Sequence, residues 1–154
     1  MSTTHKISID FYDDNFQLIA IHSSLEDYAI TYAINFNCGL HLRRSGKDLE
    51  VNQNLSFSTF VWDDGISDTS WVLISNKCTV EIPIRSEGLF GNNTSLSTNH
   101  LIKERKEVDY FLKIDGEDET LIQNHVKFIN SISGVITAYP VETRTLKSKR
   151  NLIF

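Results

Sequence analysis

The chain predicts an α+β fold. Two strand–helix–strand units bracket a β-hairpin insert, giving a mostly antiparallel sheet with two helices on one face, ferredoxin-like or an elaboration of it. Three features lead there. Apolar spacing changes from every second residue to about every 3.6 residues and back, once over residues 16–42 and once over residues 108–139. A glycine, Gly39 or Gly134, stands where each helical stretch ends. Between the two units the spacing stays at two, split by an Asp63-Asp64-Gly65 turn.

The elements follow in order. Ile7, Ile9 and Phe11 alternate with Lys6, Ser8 and Asp10 as a half-buried strand does, and Asp13-Asp14-Asn15 supply a turn. Residues 16–21 (FQLIAI) are apolar on nearly both sides, the pattern of a central strand. Ser23-Ser24-Leu25-Glu26 has capping-box spacing, in which the Ser23 hydroxyl accepts from the Glu26 amide. Leu25, Tyr28, Ala29, Tyr32, Ala33 and Phe36 then share one helical face, the expected core side, and Leu40 and Leu42 resume strand spacing. In the insert, Leu55, Phe57, Thr59 and Val61 alternate against Phe60 and Trp62. Residues 70–75 (SWVLIS) return the chain and bring Trp62 near Trp71 as a cross-strand pair.

Residues 85–99 (RSEGLFGNNTSLSTN) read as a loop holding Leu89-Phe90 between Gly88 and Gly91. Residues 108–114 (VDYFLKI) open the second unit. The acidic run 115–119 suits a helix start, where the macrodipole favours negative charge. Leu121, Ile122, His125, Phe128, Ile129 and Ile132 form the helix stripe, and Val135, Ile136, Ala138 and Tyr139 the return strand.

At 154 residues and 40% hydrophobic content the chain reads as one domain, residues 1–154, with a flexible loop at about 85–100 and a basic tail at 143–154. Such a length buries about 68–70% of the unfolded surface, enough for a core without staples. Fifteen basic against twenty acidic residues give a net charge of −5, the wrong sign for a duplex-DNA or membrane-surface binder. Setting aside Arg144, Lys147, Lys149 and Arg150 of the tail leaves eleven basic against twenty acidic, or −9 for the body. No signal-peptide core is visible at the start and no apolar run approaches the ~20 residues of a membrane span. A soluble, reducing, cytoplasmic setting is the expectation.

Little in the chain points to bond-making chemistry. The acidic groups Asp10/Asp13/Asp14, Asp63/Asp64/Asp68 and Asp115/Glu117/Asp118/Glu119 each have a local role as a turn or helix start, and none has EF-hand spacing. His5, His22, His41, His100 and His125 are scattered singly without an HExxH pair, and Cys38 and Cys78 lie in no CxxC or zinc array. His125 sits on the helix stripe, where an imidazole bonded to backbone is expected. Cys38 sits in a last helical turn, where burial and the C-terminal dipole disfavour a thiolate. No catalytic residue, metal or cofactor is assigned, and an enzyme is not expected. Tyr110 and Phe111, with the rings of residues 57–62, invite RNA stacking, but Asp63, Asp64 and Asp109 beside them repel phosphate.

Residues 102–110 read Ile102-x-Glu104-x-x-x-Val108-Asp109-Tyr110, and this skeleton resembles the signature of the IPExxxVDY family of small Bacteroidota proteins. The likeness continues at residues 18–22 (LIAIH), 25–28 (LEDY), 111–114 (FLKI), 137–139 (TAY), 146–149 (LKSK) and 151–154 (NLIF). Lys103 stands where the family name has proline, so a stiffened approach to the strand is not required here. The resemblance implies a cytoplasmic protein and supplies no catalytic residues. The expectation is a non-catalytic protein-interaction or regulatory module, with an RNA-associated factor using the sheet face as the alternative. Its contact residues are Leu89 and Phe90 of the loop, Ile102, Glu104, Asp109 and Tyr110 of the signature, and Lys147, Lys149, Arg150, Leu152, Ile153 and Phe154 of the tail. The partner expected there is a protein, possible also RNA, and neither DNA nor a membrane.

Overall fold

A strand apolar on both faces needs a partner strand on each edge and a cover on each side, and β1 (Gln17–Ser23) has all four. The structure, a computed structural model, describes residues 15–52, 54–85, 88, 93–116 and 118–154. After β1 come α1 (Asp27–Cys38), β2 (Arg43–Arg44), β3 (Leu49–Val51), β4 (Leu55–Phe57), β5 (Thr59–Asp64) and β6 (Thr69–Ser75). Then follow β7 (Lys77–Ile84), β8 (Asn93–His100), β9 (Tyr110–Asp115), α2 (Leu121–Asn130) and β10 (Val135–Val141). Short 3-10 turns lie at Lys103–Arg105, Thr143–Thr145 and Lys149–Leu152.

Six strands form one sheet in the order β10-β1-β9-β6-β5-β2, with every neighbouring pair antiparallel. The unit β9–α2–β10 straddles β1, and the longer path β1–α1–β6 straddles β9. Two interlocked split βαβ units of this kind make the expected α+β, ferredoxin-like core, and β5 and β2 extend it at one edge. The Asp64 turn closes the expected hairpin, with Trp62 opposite Trp71 and their rings stacked 6.5 Å apart.

Alternation sends the sheet's side chains to two separate cores. Ile19, Ile21, Trp71, Leu73, Leu112 and Ile114 face the helices, meeting Ile30 and Ile34 of α1 and Ile129 of α2. Leu18, Ala20, Val72, Ile74 and Phe111 face the other way, where no helix lies among the described residues. That back face is closed by Leu101, Ile102 and Val108 from the link before β9, by Leu146 and Leu152 of the tail, and by Phe57 of β4.

Three expectations differ from what is found. The helix-1 aromatics do not face the core: Tyr28, Tyr32 and Phe36 are 70%, 72% and 79% exposed, while Ile30, Thr31 and Ile34 are buried. At about 100° per residue the two stripes lie on opposite sides of the helix, and the sheet has taken the one with the shorter side chains. Ser23 is not a helix cap. Glu26 holds that position with no side-chain cap bond, whereas the Ser23 hydroxyl accepts from the Leu25 amide (3.1 Å) and donates to the Gly134 carbonyl (2.7 Å). Residues 93–99 are strand, not loop, because β8 pairs with β7 from Lys77↔His100 to Ile84↔Asn93. A ladder of backbone bonds holds serine and threonine without any apolar alternation. The tail packs against the sheet as 3-10 turns. The strand expected over Ile7, Ile9 and Phe11 lies outside the described residues.

Gly134 closes the second unit at φ +96°, and a Cβ there would meet the Leu25 side chain at 2.8 Å. Gly134→Ala is therefore expected to lower unfolding free energy by about 2 kcal/mol in urea titration, from left-handed strain plus displacement of Leu25. Gly46→Ala, which faces open space, should change it by no more than about 0.5 kcal/mol.

Candidate docking surfaces

The family-like signature is an internal lock. β1 shifts register between His22 and Ser23, which takes the Ser23 amide out of the regular ladder. Asp109 Oδ2 accepts that amide at 2.9 Å, and Asp109 Oδ1 takes the Lys77 ammonium at 2.5 Å. Tyr110 donates its hydroxyl to the Leu25 carbonyl at 2.6 Å. Burial first, then the nearby carboxylates of Asp27, Glu26 and Asp109, push the Tyr110 phenol up to about 12, so it stays a donor. Ile102 is fully buried, and its amide donates to Asn76 Oδ1 at 2.8 Å.

Asn76 was not found by sequence reasoning, although an Asn directly after the apolar run of β6 is a turn signal. It is wholly buried, and its Nδ2 donates to the Arg105 and Val108 carbonyls at 2.8 and 2.9 Å. Its backbone also pairs, its amide donating to the Asp109 carbonyl and its carbonyl accepting from Leu101. One side chain thus fixes the whole link between β8 and β9, which has no regular structure beyond one 3-10 turn.

The tail is docked through the same link. Glu104 accepts the Ser148 amide and hydroxyl, each at 2.7 Å, and Asn151 donates to the Leu101 carbonyl at 2.8 Å. Lys113, a buried lysine in mid-strand, donates to the Leu152 carbonyl at 2.8 Å. Its ammonium lies over the rings of Phe16 and Phe154 at 4.8 and 4.6 Å. Lys149 lies over Phe16 from the outside at 5.5 Å.

The expected contact residues therefore divide. Ile102, Tyr110 and Leu152 lie in the chain's own cores and offer no surface: Ile102 and Leu152 close the back face of the sheet, and Tyr110 packs on its helix side. Asp109 and Glu104 are engaged internally. Lys147, Arg150, Ile153 and Phe154 remain exposed, and Lys149 is half-buried. Leu89 and Phe90 lie outside the described residues.

Among the described residues, exposed apolar side chains line up on two regular elements. On α1 the row Tyr28, Tyr32, Phe36 faces solvent at i, i+4 and i+8, and residues 28–38 hold no charged side chain. On the hairpin β7–β8 the side chains of Ile82, Ile84 and Leu96 are about half to two-thirds exposed. Exposed aromatics in a row with charge absent have the composition of an interface centre.

Reactive chemistry finds less support in the geometry. Among the described residues no group of three or more His, Cys, Asp or Glu is placed to hold a metal ion. A cleft of about 630 Å³ is lined by Asp68, Asp115, Glu119 and Arg144 together with Asn15, Phe16, Gln17 and Gly116, with neither imidazole nor thiol. Burial pushes the Cys38 thiol up to about 11, away from nucleophilic use. His125 is buried on the helix stripe, its Nδ1 donating to the Leu121 carbonyl at 2.7 Å. Among the described residues no helix is long and apolar enough to cross a membrane. Comparison with protein-family models, curated proteins and solved structures returns no match.

Removing Asn76 strands three buried backbone groups. Asn76→Ala should cost about 3 kcal/mol in urea titration, against less than about 1 kcal/mol for the exposed Asn37→Ala. Burial raises the Glu104 carboxyl, but the Ser148 amide and hydroxyl outweigh it, so its folded value lies below the ordinary 4.5. Its hold on the tail is then complete above pH 4.5 and lost as pH falls through the lowered value; the Ser148 amide proton should titrate with it by NMR. Glu104→Ala should speed tryptic cleavage after Lys147 and Lys149 about tenfold at neutral pH.

Proposed function

We propose that this chain is a non-catalytic protein-interaction or regulatory module that docks a polypeptide on the α1 row Tyr28, Tyr32 and Phe36. A single observation carries the reading: three aromatic side chains in one helical line are each at least 70% exposed. A helix apolar on both sides is normally covered on both sides, and α1 has the sheet on only one. Tyrosine and phenylalanine are also the residues most enriched where proteins meet. The signature over residues 102–110 serves in this reading as the lock that holds the scaffold, and the exposed tail residues Lys147, Arg150, Ile153 and Phe154 as a second, separate surface. A reducing, cytoplasmic setting belongs to the same proposal, in keeping with the free thiols Cys38 and Cys78.

Stacking RNA on the sheet is the poorer reading. Phe111 is fully buried, and the link and tail occupy the face that an RNA-binding sheet leaves open. A photo-crosslinking benzoylphenylalanine placed at position 32 in the native cell tests the proposal. A polypeptide adduct is expected there, resistant to nuclease and absent when the probe stands at Glu50. No polypeptide adduct from 28, 32 or 36, or one that nuclease removes, would sink the reading.

A further inference from the structure

We infer that the polypeptide seated on the α1 row is a second copy of this chain, the two α1 helices packing antiparallel about a two-fold axis. The inference rests on the proposed docking role of the row and names its occupant.

The row is complementary to itself. Aromatic side chains stand at three positions four residues apart, so a two-fold axis beside Tyr32 sets Tyr32 against its own mate and Tyr28 against Phe36 of the other copy. It spans about 12 Å along the helix, and helices packed through such rows lie about 8–10 Å apart.

Charge points the same way. The body of the chain is acidic, so two copies meeting at most surfaces would repel. Residues 28–38 form a patch where like meets like without that penalty, since none of them is charged. Along the chain the nearest charges are Glu26 and Asp27 at the helix start and Arg43 and Arg44 on the strand that follows. A foreign partner is normally selected and steered by charge, and the row carries none to select with.

Area is sufficient for the same arrangement. Aromatic side chains bury roughly 150–250 Å² each, so three from each copy supply most of the ~1,200 Å² that specific interfaces begin at. Half-buried Ala29, Ala33 and Asn35 beside the row contribute the remainder. Antiparallel α1 helices then complete a sheet–helix–helix–sheet sandwich, covering the outer side of α1.

Sedimentation equilibrium of the purified full chain at about 100 µM tests this. The expected mass is twice 17.6 kDa, and Tyr32→Glu is expected to halve it with far-UV circular dichroism unchanged. Benzoylphenylalanine at position 28 in a mixture of isotopically light and heavy chains should cross-link between copies near residue 36. Where Tyr32→Glu proves unfolded, Phe36→Ser read by the same two measurements replaces it. A wild-type chain of 17.6 kDa, or a doubled mass that both variants retain, would overturn the second copy. A chain monomeric alone that still gives a row-specific adduct with another polypeptide in the cell overturns this inference and leaves the docking reading standing; no adduct in either setting overturns both.

Discussion

The constraint on which this structure depends is a six-stranded sheet that is apolar on both faces in a chain with only two helices among its described residues, both on one face. The other face is closed partly by the β3–β4 hairpin and partly by backbone that makes no regular ladder of its own. Buried irregular backbone carries polar groups that cost about 1–3 kcal/mol each when unpaired. Side chains must therefore supply the missing partners, and they do so at named places. Asn76 satisfies the link at three backbone atoms, Asn151 meets the Leu101 carbonyl, Glu104 takes the Ser148 amide, and Lys113 meets the Leu152 carbonyl.

This accounts for polar residues that otherwise look functional. Glu104 and Asp109 each accept a backbone amide from a distant segment, and Tyr110 reaches across to the loop before α1. None of the three lines the cleft beside Asp68 and Arg144. A lysine in the middle of β9 would be costly in a bare apolar layer, yet the Lys113 ammonium meets a carbonyl and two ring faces there. Its presence marks where the tail must lie, because without residues 152–154 two of those three contacts vanish.

Much of the fold was legible because periodicity reports burial directly. β1, β9, α2, β10 and the β5–β6 hairpin all carry spacing of two or about 3.6 with punctuating glycine or aspartate. Helix α1 was legible as a helix but not as to its side, since Tyr28/Tyr32/Phe36 and Ile30/Ile34 satisfy the same spacing. Larger side chains made the first stripe the stronger core candidate, whereas the tertiary structure buries the second. β8 was hidden because TSLST has no apolar alternation and owes its form to the ladder with β7. The role of Asn76 was hidden for another reason: its partners lie 25 to 33 residues away, and no local pattern encodes a contact of that kind.

The misread side of α1 and the back-face lock are mechanically linked. The row is aimed by the loop of residues 23–26 that precedes the helix. That loop is pinned from below by Asp109 on the Ser23 amide and by Tyr110 on the Leu25 carbonyl, and from the side by Gly134. Asp109 and Tyr110 in turn follow directly on the link that Asn76 holds and that Glu104 ties to the tail. A loosened tail would therefore act on the link first and on the helix start through it, while the sheet between them stays paired. Glu104, Asp109 and Tyr110 so connect the closing of one face to the orientation of the exposed aromatics on the other.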